Sequence, residues 1–362
     1  MRLYIIAGEA SGDLHGSNLV RELKGLQSDL EIRGWGGDLM QKEGVDLRKH
    51  YRDLAFMGFV EVLMNLRTIF QNLDFCKKDI LEFKPDAIVL IDYPGFNFRI
   101  AKWAKKQGIK VIYYIAPQVW AWHKSRVKQM RRDIDKLLVI LPFEKDFFTK
   151  HCVESEFVGH PLLDAIARNT EPAYVSENGK PIIAVLPGSR KQEIETILPL
   201  QLSVIPQFPD YEFVIAGSEQ HRNLYSKIIG NQNVKLVFNQ TYSLLRSAKA
   251  ALVKSGTSTL ETALFEVPEV VCYKGNPITY LIARMLIKDI KYIAMVNLIM
   301  DKPVVTELIQ NDLNTKNITA ELQKCLSSHR ETQIADYKLL KQKLGESNAS
   351  LRTAKSIINF LK

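Results

Sequence analysis

Short apolar runs alternate with stretches of helical periodicity along almost the whole chain, and that order most constrains the fold. In the first half the expected strands are Leu3–Ala7, Ile32–Trp35, Ala87–Asp92, Lys110–Ile115, Lys136–Ile140 and Ser155–Phe157. A second series follows: Ile182–Leu186, Glu212–Ala216, Val234–Val237, Ala250–Val253 and Val270–Cys272, with helices between. Strands alternating with helices imply parallel sheets covered by helices on both faces. Asp164 to Lys180 breaks the pattern; it is polar and carries Asn169, Pro172, Asn178 and Gly179, the composition of a linker. At 362 residues the chain is also too long for one ordinary core. The expectation is an α/β protein with two Rossmann-like lobes facing across a cleft, residues 1–165 and 180–345. A C-terminal helix at 346–362, patterned by Leu351, Ile357, Ile358 and Leu361, would pack back toward the N-terminal lobe.

Composition narrows the class. Hydrophobic content of 46% with 25% charged residues is that of a globular protein. Cys76, Cys152, Cys272 and Cys325 stand far apart in no CxxC or Cys/His cluster, which points to a reducing compartment and away from structural zinc. Met1-Arg2 leads directly into an apolar run with no leader-like stretch, so a cytoplasmic location is expected. The most apolar long stretch, Pro277 to Met300, contains Arg284, Lys288, Asp289 and Lys291, too many charges for a membrane span. The net charge of +9 is uneven: eleven Lys or Arg and only Asp133 and Asp135 fall between Arg99 and Lys136. Such a block suits an anionic partner, a phosphorylated substrate or an anionic membrane, with a solvated helix face as the competing reading. No nucleic-acid motif accompanies it.

Two regions carry chemistry. Residues 3 to 16 read as a strand, a glycine-punctuated turn and a helix patterned by Leu14, Leu19, Val20 and Leu23. Ligands of open parallel sheets bind beyond the carboxyl ends of the strands, so Glu9, Ser11, Asp13 and His15 are expected at the mouth of a cleft. The simpler alternative is a βα turn capped by Ser11 or Asp13. In the second lobe, Ile182–Leu186 runs into Pro187-Gly188-Ser189-Arg190 and an acidic helix. A tight turn at a helix N-terminus turns N–H groups toward an anion, and Arg190 adds a forked cation for phosphate oxygens. Lys254-Ser255-Gly256-Thr257-Ser258-Thr259 is again strand, hydroxyl-rich turn and helix, with Glu261 placed to accept ribose hydroxyls. Each loop alone reads equally as a capped helix; together they favour a nucleoside diphosphate. Neither a Walker loop nor a dinucleotide fingerprint is present.

These segments resemble the lipid-A-disaccharide synthase family, inverting glycosyltransferases of the two-lobed GT-B arrangement. The resemblance runs through Gly8–Asp13, Met57–Val62, Ile91–Asn97, Pro117–Trp122, Leu141–Glu144, Val158–Pro161, Leu186–Arg190 and Ser255–Glu261, then Asn297 and Pro303–Gln310. Ala116 and His123 stand where the family carries Ser and Arg. The resemblance implies transfer of 2,3-diacylglucosamine from UDP to the 6-hydroxyl of 2,3-diacylglucosamine 1-phosphate, giving a β-1,6-linked disaccharide. It implies Asp92 as general base, with His15 and Glu9 as rivals, and no cofactor. Gly188, Ser189, Arg190, Ser255, Gly256, Thr257, Ser258, Thr259, Glu261, Asn297 and Gln310 would hold the UDP-sugar. Ser11, Asp13, Gln118, Trp120 and Trp122 would line the acceptor side.

Ala55 to Leu66 is apolar on more than one helical face. Met57, Phe59, Val62, Leu63 and Leu66 are therefore expected to touch acyl chains or the cytoplasmic leaflet of the inner membrane, unless the helix is internal core. No metal is expected, since Asp133-Ile134-Asp135 precedes its strand and sits among Arg131, Arg132 and Lys136 as a surface ion-pair cluster. No nucleic-acid partner is expected, and a homo-oligomer is left open. The rival readings are another UDP-sugar enzyme, such as a peptidoglycan-precursor transferase or a 2-epimerase, and a non-catalytic nucleotide-sugar or lipid-binding protein.

Overall fold

The computed structural model describes residues 1–54, 66–117, 119, 124–276, 280 and 291–362. They form two α/β units: Met1–Arg168 with Leu344–Lys362, and Asn169–Lys343. The polar stretch expected as a linker is divided between them at residues 168 and 169.

The first unit carries β1 (Arg2–Ala7), α1 (Ala10–Leu26), β2 (Glu31–Gly36), α2 (Asp38–Lys42), β3 (Asp46–His50) and α3 (Leu66–Phe83). It continues through β4 (Ala87–Ile91), α4 (Pro94–Lys106), β5 (Lys110–Tyr114), α5 (Lys124–Asp133), β6 (Lys136–Val139), α6 (Pro142–Lys150), β7 (Glu156–Phe157) and α7 (Pro161–Arg168). The strands pair in parallel in the order β3-β2-β1-β4-β5-β6-β7. Every residue of β4 is buried, as a central strand covered on both faces requires.

The second unit has β8 (Ile182–Leu186), α8 (Lys191–Leu202), β9 (Glu212–Gly217), α9 (Arg222–Ile229), β10 (Lys235–Phe238), α10 (Thr241–Ser247) and β11 (Ala248–Lys254). Then come α11 (Thr257–Leu264), β12 (Glu269–Tyr273), α12 (Met295–Met300), β13 (Thr306–Ile309), α13 (Thr315–Leu326) and α14 (Arg330–Leu344). Its parallel sheet runs β10-β9-β8-β11-β12-β13. Ile183 and Val185 enter one core while Ile182, Ala184 and Leu186 enter the other, the period of two that a strand between helical layers imposes.

Two strands were not expected from the sequence, β3 and β13, and both lie at sheet edges. Asp-Leu-Arg-Lys-His in β3 has no apolar run, because an edge strand needs only partial burial and charges there discourage pairing with other chains.

The last helix, α15 (Ala349–Leu361), packs on α1 within the first unit. The Asp164 carboxylate fixes its start, accepting N–H groups of Asn348 at 2.5 Å, Ala349 at 3.1 Å and Ser350 at 2.7 Å. Ile357 and Ile358 are buried, whereas Leu351 and Leu361 are half-buried. No helix among the described residues is long and apolar enough to cross a membrane.

Candidate active site

In both sheets the chain reverses its strand order beside the first strand, and ligands of open α/β sheets bind at that switch point. In the first unit the switch lies between β1 and β4, where Ala7 pairs with Ile91. The next residues out, Gly8-Glu9 and Asp92-Tyr93, therefore lie side by side.

Asp92 and Tyr93 have φ of 46° and 48°, two successive non-glycine residues in the left-handed region. Each such residue costs about 1–3 kcal/mol and needs its surroundings to hold it. The backbone carbonyl of Asp92 accepts from Asn97 Nδ2 at 2.7 Å and from the Tyr113 hydroxyl at 2.5 Å, while its N–H donates to the Tyr114 carbonyl at 3.2 Å. Asn97 is fully buried at the start of α4 and also donates to the Ile91 carbonyl at 3.3 Å.

Burial, and then the charge of Glu9, push the Asp92 carboxyl up to about 7; the Tyr93 N–H opposes them. A carboxylate whose pKa lies near neutrality suits general-base work. Gly8 is dictated by the same turn, since a Cβ there would fall 2.3–2.7 Å from ring carbons of Tyr93.

The expectation that Asp13 and His15 stand at the mouth is corrected. Glu9 precedes the first turn of α1 and Ser11 is exposed within it, but Asp13 and His15 are only 3% and 6% exposed. One hundred degrees of rotation per residue carries them onto buried faces. Asp13 caps α2 rather than its own helix, accepting N–H groups of Gly37 at 2.7 Å, Met40 at 3.0 Å and Leu39 at 3.1 Å. His15 lies near Asp164 and His160, and burial lowers its imidazole to about 4, the charge of Asp164 opposing.

Replacing Asp13 with Asn is accordingly expected to cost roughly 2–3 kcal/mol of stability, because buried N–H donors lose a charged acceptor. Urea unfolding of the Asp13→Asn protein measures it. A stability equal to the wild type would return Asp13 to the list of ligand-facing groups.

In the second unit the switch lies between β8 and β11. Gly188, with φ of 101°, lets the chain turn above the Glu193 side chain; Ser189 and Arg190 follow, exposed, before α8. Glu193 Oε2 accepts the Arg190 N–H at 3.4 Å, and its Oε1 lies 2.7 Å from Lys254 Nζ and 3.7 Å from Arg190 Nη1. Across the switch, Gly256, Thr257 and Ser258 open α11, with Thr257 exposed. Glu261 accepts from the Tyr242 hydroxyl at 3.0 Å, and burial raises its carboxyl above the usual range. Tyr242 comes from α10, remote in sequence, and no local pattern signals it.

Two donor-site expectations, Thr259 and Asn297, are corrected. Thr259 is fully buried and its hydroxyl donates to the Gly256 carbonyl at 2.8 Å, so it stabilises the turn instead of reaching outward. Asn297 is 1% exposed. Its Nδ2 donates to the Val305 carbonyl and Glu307 Oε1, both at 2.9 Å, and its Oδ1 accepts from Val305 N–H at 2.9 Å. These bonds tie α12 to the approach of β13. The start of α12 is occupied by a carboxylate already, as Glu307 accepts N–H groups of Ile293 and Ala294. Ser255 donates to the Ile293 carbonyl at 3.3 Å, and Gln310 accepts the Gly275 N–H at 3.0 Å.

Asp133 and Asp135 are ion-paired with Arg132 and Lys105. Gln118, Trp120, Trp122, His123, Met57, Phe59, Val62 and Leu63 lie outside the described residues, as does the Leu66 side chain; Ala116 is buried.

A family model described as lipid-A-disaccharide synthetase matches residues 3–358. The chain belongs to that family. The lipid-A-disaccharide synthases of Coxiella burnetii (strain CbuG_Q212) and Geobacter sulfurreducens are each 36% identical to it, over 99% of this chain and 98% and 97% of theirs. That of Anaeromyxobacter dehalogenans (strain 2CP-C) is 36% identical over 100% of this chain and 98% of its own. Among solved structures, a Staphylococcus aureus MnaA–UDP co-structure matches with a TM-score of 0.71 at 14% identity, covering 99% of this chain and 96% of that one. The glycotransferase of kitacinnamycin matches with a TM-score of 0.71 at 14% identity, over 100% and 99%. Those structural likenesses speak for the fold. As a member of the lipid-A-disaccharide synthetase family, the chain is a GT-B glycosyltransferase of lipid A biosynthesis that acts on lipid A precursor sugars.

Proposed function

We propose that this enzyme transfers 2,3-diacylglucosamine from UDP to the 6-hydroxyl of 2,3-diacylglucosamine 1-phosphate, with inversion at the anomeric carbon. The observation that carries the reading is the placement of Asp92 beside Glu9 at the switch point of the first sheet, in a chain of the lipid-A-disaccharide synthetase family. Asp92 takes the proton of the acceptor hydroxyl as its oxygen attacks the anomeric carbon. The bond from that carbon to the diphosphate breaks, and the electron pair leaves with UDP. Glu9 sets the proton affinity of Asp92, and buried His15 serves the fold.

The second unit holds the donor. N–H groups of the Gly188–Arg190 and Gly256–Ser258 turns, with the Arg190 guanidinium, offset charge on the departing diphosphate, where preorganised donors contribute most. Glu261, steadied by Tyr242, accepts the ribose hydroxyls. Mass spectrometry of the products from acylated UDP-glucosamine plus the acylated 1-phosphate tests the reaction. A β-1,6-linked disaccharide 1-phosphate with release of UDP is expected; a 2-epimer of the donor, or no UDP release, would refute it.

The division of the donor site is open to a direct test. Arg190→Ala and Glu261→Ala each remove a charge-assisted contact of about 1.5–3 kcal/mol, so calorimetry is expected to show UDP affinity falling roughly tenfold or more in both. Unchanged affinity in both would put the nucleotide elsewhere.

The substrates also argue for work at the cytoplasmic face of the inner membrane. At about 0.8 kcal/mol per buried CH₂, pulling a two-chain lipid into water is prohibitive. Exposed Arg99, Lys102 and Lys106 on α4 and Lys128 and Arg131 on α5 form a cationic surface on neighbouring helices, suited to anionic headgroups. Sedimentation with anionic vesicles, weakening as salt is raised, is the expected result; equal recovery with neutral vesicles would count against this surface.

A further inference from the structure

We propose that Lys254 is a ligand of the diphosphate and that Glu193 competes with the diphosphate for it, so that this ion pair sets how tightly UDP is held. The inference rests on the donor-site reading above and adds two residues to it.

Glu193 sits in the first turn of α8, where one carboxylate gathers three groups. Its Oε1 lies 2.7 Å from Lys254 Nζ and 3.7 Å from Arg190 Nη1, and its Oε2 accepts the Arg190 N–H at 3.4 Å. Two cations and a backbone N–H at a sheet's switch point are the donors an incoming phosphate would use. The pair is sheltered, with side chains 20% and 17% exposed for Lys254 and Glu193. Lys254 also reaches the second loop, since a Cβ on Gly256 would fall 3.7 Å from its Nζ. The ammonium therefore stands between the two turns that flank the switch, at the end of β11. Gly188 keeps the first turn open above the carboxylate: a Cβ there would fall 2.5 Å from Glu193 Oε2.

A diphosphate reaching these turns meets both cations and, behind them, a negative charge. Lys254 must share its protons between Glu193 and the phosphate oxygens, and the two anions repel. The cation strengthens binding and the carboxylate weakens it, which keeps the departing UDP from being held too firmly for release.

Glu193→Gln separates the roles of that residue, because Gln serves in the capping position as Glu does while the charge is removed. Titration calorimetry of the full chain with UDP, UMP and uridine reads the result. Glu193→Gln is expected to bind UDP about three- to tenfold more tightly, since a like charge has been taken from the site. Lys254→Met is expected to bind UDP roughly tenfold more weakly, with the loss smaller for UMP and absent for uridine.

Unchanged or weaker UDP binding by Glu193→Gln would overturn the competition. Equal losses for UDP and uridine in Lys254→Met would overturn the assignment of that residue to the diphosphate. Should Lys254→Met fail to fold, the sign of the Glu193→Gln change decides alone. Arg190→Ala, run in parallel, separates the two readings. If it weakens UDP binding while both other variants leave it unchanged, the donor site stands and the Lys254–Glu193 inference falls. If it too is without effect, the donor-site reading itself fails.

Discussion

Turnover of Asp92→Asn is expected to fall by roughly 10²–10⁴, the range for loss of a general base, with UDP affinity unchanged because the proposed donor groups belong to the other unit. The amide keeps the size of the carboxylate and one acceptor oxygen, and loses the negative charge and the ability to take a proton. The wild-type rate is expected to rise with pH and level off above about 7, since Asp92 accepts the acceptor proton only when ionised and burial with Glu9 places its titration there. Glu9→Gln removes the neighbouring negative charge, lowers the proton affinity of Asp92 and moves the acidic limb to lower pH.

The stability consequence has the opposite sense to the rate. A carboxyl raised from 3.8 to about 7 on folding keeps its proton where the unfolded chain has lost it. Its contribution to stability is present in acid and is lost as pH rises through about 7. Asp92→Asn is therefore expected to be more stable than the wild type above neutrality while being nearly inactive. Near-normal turnover would remove Asp92 from the chemistry and promote Glu9; a rate profile flat through pH 7 would do the same.

The second large effect is expected at a residue with no side chain. Gly8→Ala places a methyl group 2.3–2.7 Å from the Tyr93 ring, well inside van der Waals contact. Tyr93 is constrained by its left-handed backbone and by stacking on Phe96 at 5.7 Å, so displacing the ring moves the backbone of Asp92 beside it. A misplacement of about 1 Å can cost on the order of 10²-fold in rate, and crowding of this kind costs about 1–3 kcal/mol of stability. Gly8→Ala is thus expected to lose activity on the scale of Asp92→Asn, with UDP binding intact and thermal stability lowered. Adding Tyr93→Ala is expected to restore part of the stability without restoring the rate. Wild-type kinetics in the single variant would mean that the ring yields freely and that the turn does not need its observed shape.

Much of the architecture was legible in the amino-acid order. Fully buried parallel strands such as Ile182–Leu186 are continuous apolar runs because both faces are covered, and such runs announce themselves. The same order brought Glu9, Asp92, Arg190 and Glu261 to strand ends and helix starts, since those positions follow from local periodicity alone. Edge strands β3 (Asp-Leu-Arg-Lys-His) and β13 (Thr-Glu-Leu-Ile) were illegible because polar residues break the apolar run, whereas the half-buried edge strand β10 keeps one.

What only the tertiary structure decided is where each polar side chain goes. Asp13, Thr259 and Asn297 read as ligand-facing groups in their motifs, yet each is buried and bonded to backbone of its own turn or of a neighbouring segment. Tyr113, which holds the Asp92 turn, and Lys254 with Glu193, reach their partners only when β4 lies against β5 and β8 against β11. Periodicity is a property of neighbours along the chain. A hydrogen bond or ion pair between residues twenty-one or sixty-one positions apart depends on the register of strands and the roll of helices, which local sequence does not encode.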